Sequence, residues 1–176
     1  MDPVSVLDYR YGTEEMRDVF RANSYLNFLL EVEATLAEAQ AEIGIVPKDA
    51  AVQIRNGIPL VKRERVEEIE SEINHDVMAV VKGLEEQVGE AGKWIHFGAT
   101  SYDIVDTARA LQHKKAINLI EEALSNLIAS IGKLAEEHKD TVMLGRTHGQ
   151  WATPITFGLK MAVFASELSR HMERLI

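Results

Sequence analysis

Three histidines stand where the sequence pattern changes: His75 in Asn74-His75-Asp76, His96 in Trp94-Ile95-His96-Phe97-Gly98, and His148 in Gly145-Arg146-Thr147-His148-Gly149. An imidazole titrates near neutral pH and can hand a proton to a leaving group. Glycines near His148 permit a backbone that presents a side chain instead of packing it; the other reading is a histidine that braces its own loop. His75 and Asp76 precede a helical pattern, so Asp76 as an N-cap beside a plain loop histidine stands against a role for either in chemistry. His96 sits between Ile95 and Phe97, which suits a half-buried histidine with a structural partner equally well. His113, His138 and His171 lie in polar helical surroundings and read as solvated.

Two further groups suit anion binding. Thr100 and Ser101 open a long helical pattern, where hydroxyls and free backbone N–H groups can hold a carboxylate or phosphate. Plain N-capping uses the same atoms. Arg10-Tyr11 precedes the first helix, and an arginine can grip phosphate with two parallel bonds or simply carry surface charge. No pair of histidines has the short helical spacing of a zinc site, and the chain has no cysteine, so neither metal nor thiolate chemistry is expected.

The elements that must position these groups are helical. Thr13 precedes Glu14 and Glu15, a capped start with acids at the positive end of the dipole. Phe28, Leu29, Val32, Leu36, Ala39 and Ile43 continue at helical spacing until Gly44 and Pro47. Shorter helices are expected over 48–56 and 62–73, separated by Gly57 and Pro59, and another over 76–88. Residues 93–101 form a non-periodic link. From Ser101 to about Lys139 there is no proline, and Ile117, Ile120, Leu124, Leu127, Ile131 and Leu134 alternate by three and four residues, the seam of a long bundle helix. Thr100 can cap it and Asp103 can reach back. Its length would be roughly 58 Å, so partner helices are required. Residues 141–154 read as a loop-like break. A last apolar pattern, Ile155, Leu159, Ala162, Ala165 and Met172, runs to residue 176 without a stop signal, the expectation for a chain cut within a helix.

The 176 residues are 46% hydrophobic and 27% charged, which places the chain among globular proteins. A net charge of -9 argues against nonspecific nucleic-acid binding, which depends on basic surface. No stretch approaches the length and apolarity of a membrane helix, and no signal peptide is evident, so a cytoplasmic protein is expected.

Taken together, His75-Asp76-Val77, the run from Lys93-Trp94-Ile95-His96-Phe97-Gly98-Ala99-Thr100-Ser101 to Thr107, and Gly145-Arg146-Thr147-His148-Gly149 resemble the adenylosuccinate lyase family of the fumarase/aspartase superfamily. Arg10-Tyr11 with Glu14-Glu15-Met16 resembles that family's start. The resemblance implies an all-α, fumarase/aspartase-like fold: a small N-terminal helical domain over 1–100, then over 101–176 the start of a long-helix bundle through which four subunits associate. It implies β-elimination of fumarate from adenylosuccinate, giving AMP, and from the succinylated aminoimidazole carboxamide ribotide, in purine synthesis and without a cofactor. His148 matches the general acid and His75 a second catalytic histidine. Asn74, His75, Asp76, His96, Thr100 and Ser101 match substrate contacts, and Arg10 and Tyr11 the phosphate side. The family's catalytic base is a serine on a loop beyond position 176, and its sites combine residues of three subunits. Two positions depart from the pattern: Asn74 stands where many members carry a basic residue, and Trp151-Ala152-Thr153 replaces a His-Ala-Glu found in some. The carboxymuconate cycloisomerases are the nearest rival, sharing a Gly-Ala-Thr-Ser-x-Asp segment but typically lacking the counterpart of His148. The remaining alternative is a noncatalytic helical assembly module.

Overall fold

Where the apolar spacing is helical, helices form, in the order α1 (Glu14–Val19), α2 (Ala22–Glu42), α3 (Lys48–Gly57), α4 (Arg63–Ile73), α5 (Asp76–Val88), α6 (Ser101–Glu137) and α7 (Phe157–Leu175), with 3-10 turns at Ile58–Leu60 and Gly89–Trp94. The computed structural model describes residues 11–175. Arg10 lies outside the described residues. By packing the chain divides into residues 1–116 and 117–176, with the division inside α6. The boundary expected near residue 100 marks that helix's start.

In the first unit, α2 to α5 and the first turns of α6 close around Leu30, Ile54, Leu84 and Ile104, all essentially inaccessible to solvent. Each such side chain contributes roughly 1.5–3 kcal/mol through burial. The first helix is shorter than the sequence pattern suggests. The chain breaks at Phe20-Arg21, where Arg21 is extended and starts α2. The break leaves the Val19 carbonyl without a helical partner, and buried Gln112 of α6 supplies one, donating from Nε2 at 2.9 Å. Thr13 caps α1 as expected, accepting from the Met16 N–H.

In the second unit, the break expected over 141–154 is instead an antiparallel hairpin, β1 (Val142–Thr147) and β2 (Gln150–Thr156). Its residues Val142, Thr147, Thr153, Ile155 and Thr156 are β-branched and favour extended backbone, while Gly145 and Pro154 obscured the alternation. A register irregularity lies between Leu144 and Arg146. At the hairpin's base, the Phe157 N–H donates to the Thr141 carbonyl and the Gly158 N–H to the His138 carbonyl, both at 2.9 Å. His138 packs edge-on against Phe157, with ring centroids 5.1 Å apart. It is thus a packed residue at the end of α6, not the solvated one its polar neighbours suggested.

The seam of α6 buries nothing after Ala116. Ile120, Leu127 and Leu134 are exposed, whereas Ile117, Leu124 and Ile131 are half-buried, so half of the apolar stripe read from the sequence stays open among the described residues.

Gly158 sits where a Cβ would lie 2.5 Å from the Ala135 carbonyl oxygen and 2.6 Å from the Lys139 Cα, backbone atoms that cannot step aside. Gly158→Ala should therefore destabilise the chain by about 1–3 kcal/mol in chemical denaturation. Gly132→Ala, in the middle of α6 with nothing within 4 Å, should stabilise it by roughly 0.5–1 kcal/mol.

Candidate functional site

The stretch Asn74-His75-Asp76 is the corner between α4 and α5, and each residue there answers a helix end. Asn74 is the C-cap of α4 in the left-handed region, φ 51° and ψ 42°, and its N–H donates to the Glu70 carbonyl at 2.8 Å. Asparagine tolerates that conformation better than other non-glycine residues, a backbone reason for its presence here. His75, rather than Asp76, is the N-cap of α5: its Nδ1 accepts from the Met78 N–H at 3.3 Å. Asp76 begins the helix and accepts from the Val77 N–H at 2.8 Å. Because Nδ1 of His75 is an acceptor in this cap, the neutral ring carries its proton on Nε2. The corner thus offers one outward donor, Nε2–H, and the Asp76 carboxylate 3.7 Å from Nδ1 is too distant to take over the bond.

A second group is built by α2 holding the link before α6. His96 adopts a positive φ of 60°, and its Nδ1 lies 2.6 Å from Oε1 of Glu33. The Glu33 side chain is fully buried, and its Oε2 has no hydrogen-bond partner among the described residues. Burial pushes the Glu33 carboxyl above its ordinary value, and the His96 contact only partly offsets it. Seven residues on, Gln40 donates from Nε2 to the Phe97 carbonyl at 2.7 Å. Seven residues are two helical turns, so one stripe of α2 grips the link at two successive points. Sequence reading passed over both. The signal lay in Glu33 itself, a charge occupying the stripe of Leu26, Leu30, Ala37 and Ala41, where an apolar residue is expected.

At the end of the link, the Thr100 N–H donates to Asp103 Oδ2 at 2.9 Å, the back-reaching half of the capping arrangement read from the sequence. The Thr100 hydroxyl makes no hydrogen bond to another described residue. Ser101 is the first residue of α6. The backbone N–H groups of that first turn and two hydroxyls are the anion-binding potential of this point. The cavity of about 550 Å³ between α2 and α6 is a different feature. Val32, Leu36, Ala39 and Ile104 make it apolar, and its polar lining includes Glu31 and Asp103, carboxylates that oppose an anionic ligand.

In the second unit, His148 and Gly149 are the two central residues of the hairpin turn, closed by the pair Thr147–Gln150. Both have positive φ, 51° and 71°, which is the type I′ turn that matches the twist of two strands. His148 is exposed at the tip, and no hydrogen bond to another described residue holds its ring. Arg146 shares a hollow with Lys160 of α7, lined also by Met143, Leu144 and Ile155. Trp151, a departure noted above, is 82% exposed and covers nothing. Tyr11 is exposed ahead of α1. Within the first unit the structure thus places site residues at two helix-end groups, 74–76 and 96–101. Among the described residues no three metal-ligating side chains cluster, and no helix is long and apolar enough to cross a membrane.

A family model described as Lyase matches residues 8–176. The adenylosuccinate lyase of Pyrococcus abyssi is 51% identical over 174 residues, covering 98% of this chain and 39% of that protein. Among solved structures, a fumarate lyase from Mesorhizobium sp. BNC1 superposes with a TM-score of 0.85 at 39% identity, over 94% of this chain and 40% of that one. A 3-carboxy-cis,cis-muconate lactonizing enzyme from Pseudomonas putida gives a TM-score of 0.86 at 33% identity, over 97% and 40%. The chain spans about two fifths of the length of the relatives it matches.

Two measurements test this geometry. Removing the α5 cap in His75→Ala should cost about 1 kcal/mol of stability, whereas His75→Asn, which keeps an acceptor at the N-cap, should cost only a few tenths; denaturant titration separates them. Glu33, raised above the ordinary 4.5 in the folded chain, favours the fold when protonated. Its contribution is complete below 4.5 and is lost as pH rises through the folded value. Glu33→Gln should therefore flatten the fall in melting temperature between pH 4.5 and pH 7. An unchanged slope would mean that the buried carboxyl does not govern it.

Proposed function

We propose that this chain, which belongs to the lyase family, is the N-terminal portion of an adenylosuccinate lyase. The reaction is a β-elimination: a proton is removed next to a succinyl carboxylate, the resulting carbanion is stabilised as a dianion, and the C–N bond breaks with a proton delivered to the leaving nitrogen. The products are fumarate and AMP, with the succinylated aminoimidazole carboxamide ribotide as second substrate, in cytoplasmic purine synthesis.

The observation that carries this reading is His148 at the tip of a two-residue turn, its ring free of any bond to another described residue. A general acid must be able to meet a substrate atom, and a histidine packed into its own loop could not. As imidazolium, His148 donates to the leaving nitrogen. His75, its Nδ1 occupied by the α5 cap, contributes Nε2–H as a hydrogen-bond donor to the substrate, with Asn74 and Asp76 on either side. Thr100 and Ser101, with the first-turn N–H groups of α6, receive a succinyl carboxylate. His96 faces the same substrate region, and Arg10 and Tyr11 serve the phosphate. The base is supplied by sequence following residue 176. The exposed half of the α6 seam, Ile120, Leu127 and Leu134, is covered by other long helices in a homotetramer. Residues 1–100 then form the N-terminal helical domain and 101–176 the first part of the bundle. Greater identity to adenylosuccinate lyases than to the lactonizing enzyme favours this reading over a cycloisomerase.

The test is an absorbance assay of adenylosuccinate cleavage on the complete reading frame and on its His148→Ala variant. The complete protein should turn over, the variant should be slower by roughly 10²–10⁴-fold, and the 176-residue chain alone should be inactive. Turnover by His148→Ala near the unmodified rate would remove His148 from the proton-transfer step.

A further inference from the structure

We propose that Glu33 is a positioning residue for the site: its buried carboxylate fixes the tautomer of His96 and so decides which ring nitrogen meets the substrate. This deepens the reading above and rests on His96 facing the substrate. At 2.6 Å, Glu33 Oε1 and His96 Nδ1 share a short hydrogen bond. With Glu33 ionised, the carboxylate can only accept, so Nδ1 carries the proton and the neutral ring keeps Nε2 as a lone-pair acceptor. That is the opposite of His75, whose cap leaves a proton on Nε2. The two histidines therefore present complementary hydrogen-bonding character, one donor and one acceptor, each set by what occupies its Nδ1.

Stability is a poor reason for this arrangement. The Glu33 side chain is fully buried, Oε2 is unpaired among the described residues, and its neighbours along the stripe are Leu30, Ala34 and Ala37. An apolar side chain of similar volume would fill the position without the desolvation cost of a charge. What an apolar side chain would not supply is direction. His96 is at positive φ, and the following residue is pinned through its carbonyl by Gln40. With backbone and ring both held from α2, His96 has a defined orientation four residues ahead of the Thr100 N–H that Asp103 engages. A carboxylate behind a working histidine fixes its tautomer and ring orientation and raises its basicity.

The experiment compares unmodified complete protein with Glu33→Gln and Glu33→Leu by melting temperature, by steady-state cleavage of adenylosuccinate, and by ¹⁵N chemical shifts of the His96 ring. Both variants should melt at or above the unmodified temperature at pH 7. In both, kcat should fall by on the order of ten- to a hundredfold with a smaller change in KM. In the unmodified protein the neutral His96 signal should show Nδ1 protonated, and Glu33→Leu should lose that preference. Variants that fold and turn over at the unmodified rate, or an unmodified His96 protonated on Nε2, would overturn the proposal. An unmodified protein with the expected His96 tautomer that cleaves no adenylosuccinate would refute the reading of the reaction while upholding Glu33 as the group that sets His96.

Discussion

A helix end leaves backbone N–H or C=O groups without partners, and the candidate residues of the 74–76 corner and Thr100 are placed by that need. His75 caps α5, Asn74 closes α4 in a left-handed conformation, and Asp103 reaches back to the N–H of Thr100 before α6. Capping and ligand binding draw on the same atoms, so a residue that caps with one atom has a defined remainder. For His75 the remainder is Nε2–H. For Thr100, whose N–H is engaged, it is the hydroxyl. The need to satisfy helix ends thus shapes the chemistry offered beyond them.

The same constraint explains why the first unit uses polar residues inside an otherwise apolar packing. Gln112 is spent on the Val19 carbonyl exposed by the break between α1 and α2, and Gln40 on the Phe97 carbonyl in the irregular link. Each of these amides marks a place where regular structure stops and a carbonyl would otherwise lack a donor. Glu33 differs, because it serves a side chain, His96, instead of a backbone carbonyl.

Much of the helical plan was legible because it is written locally. Thr13, Gly44 with Pro47, and the Thr100 to Asp103 segment state their boundaries in residue types, and the periodicity of α6 is plain. The hairpin was not legible, since Gly145 and Pro154 interrupt the alternation that would have announced two strands, and the closing turn depends on His148 accepting a positive φ that sequence does not declare. The candidate histidines were visible by position. Their partners were not: Glu33 is 63 residues from His96, and only the packing of α2 brings them together. His75 as cap in place of Asp76 was missed because either residue type can accept the bond, and the choice is made by where the left-handed Asn74 turns the chain.

The turn that carries His148 has a consequence for how this position can change over generations. Central residues of a type I′ turn are filtered by backbone before any chemistry is consulted: glycine, asparagine and aspartate are admitted readily, β-branched residues hardly at all. Histidine is among the less penalised of the remaining types. Drift away from histidine here would therefore run first to asparagine or aspartate, side chains that keep the hairpin and lose the imidazole. A descendant with asparagine or aspartate there would still fold, and the loss of the imidazole would leave no mark on its architecture.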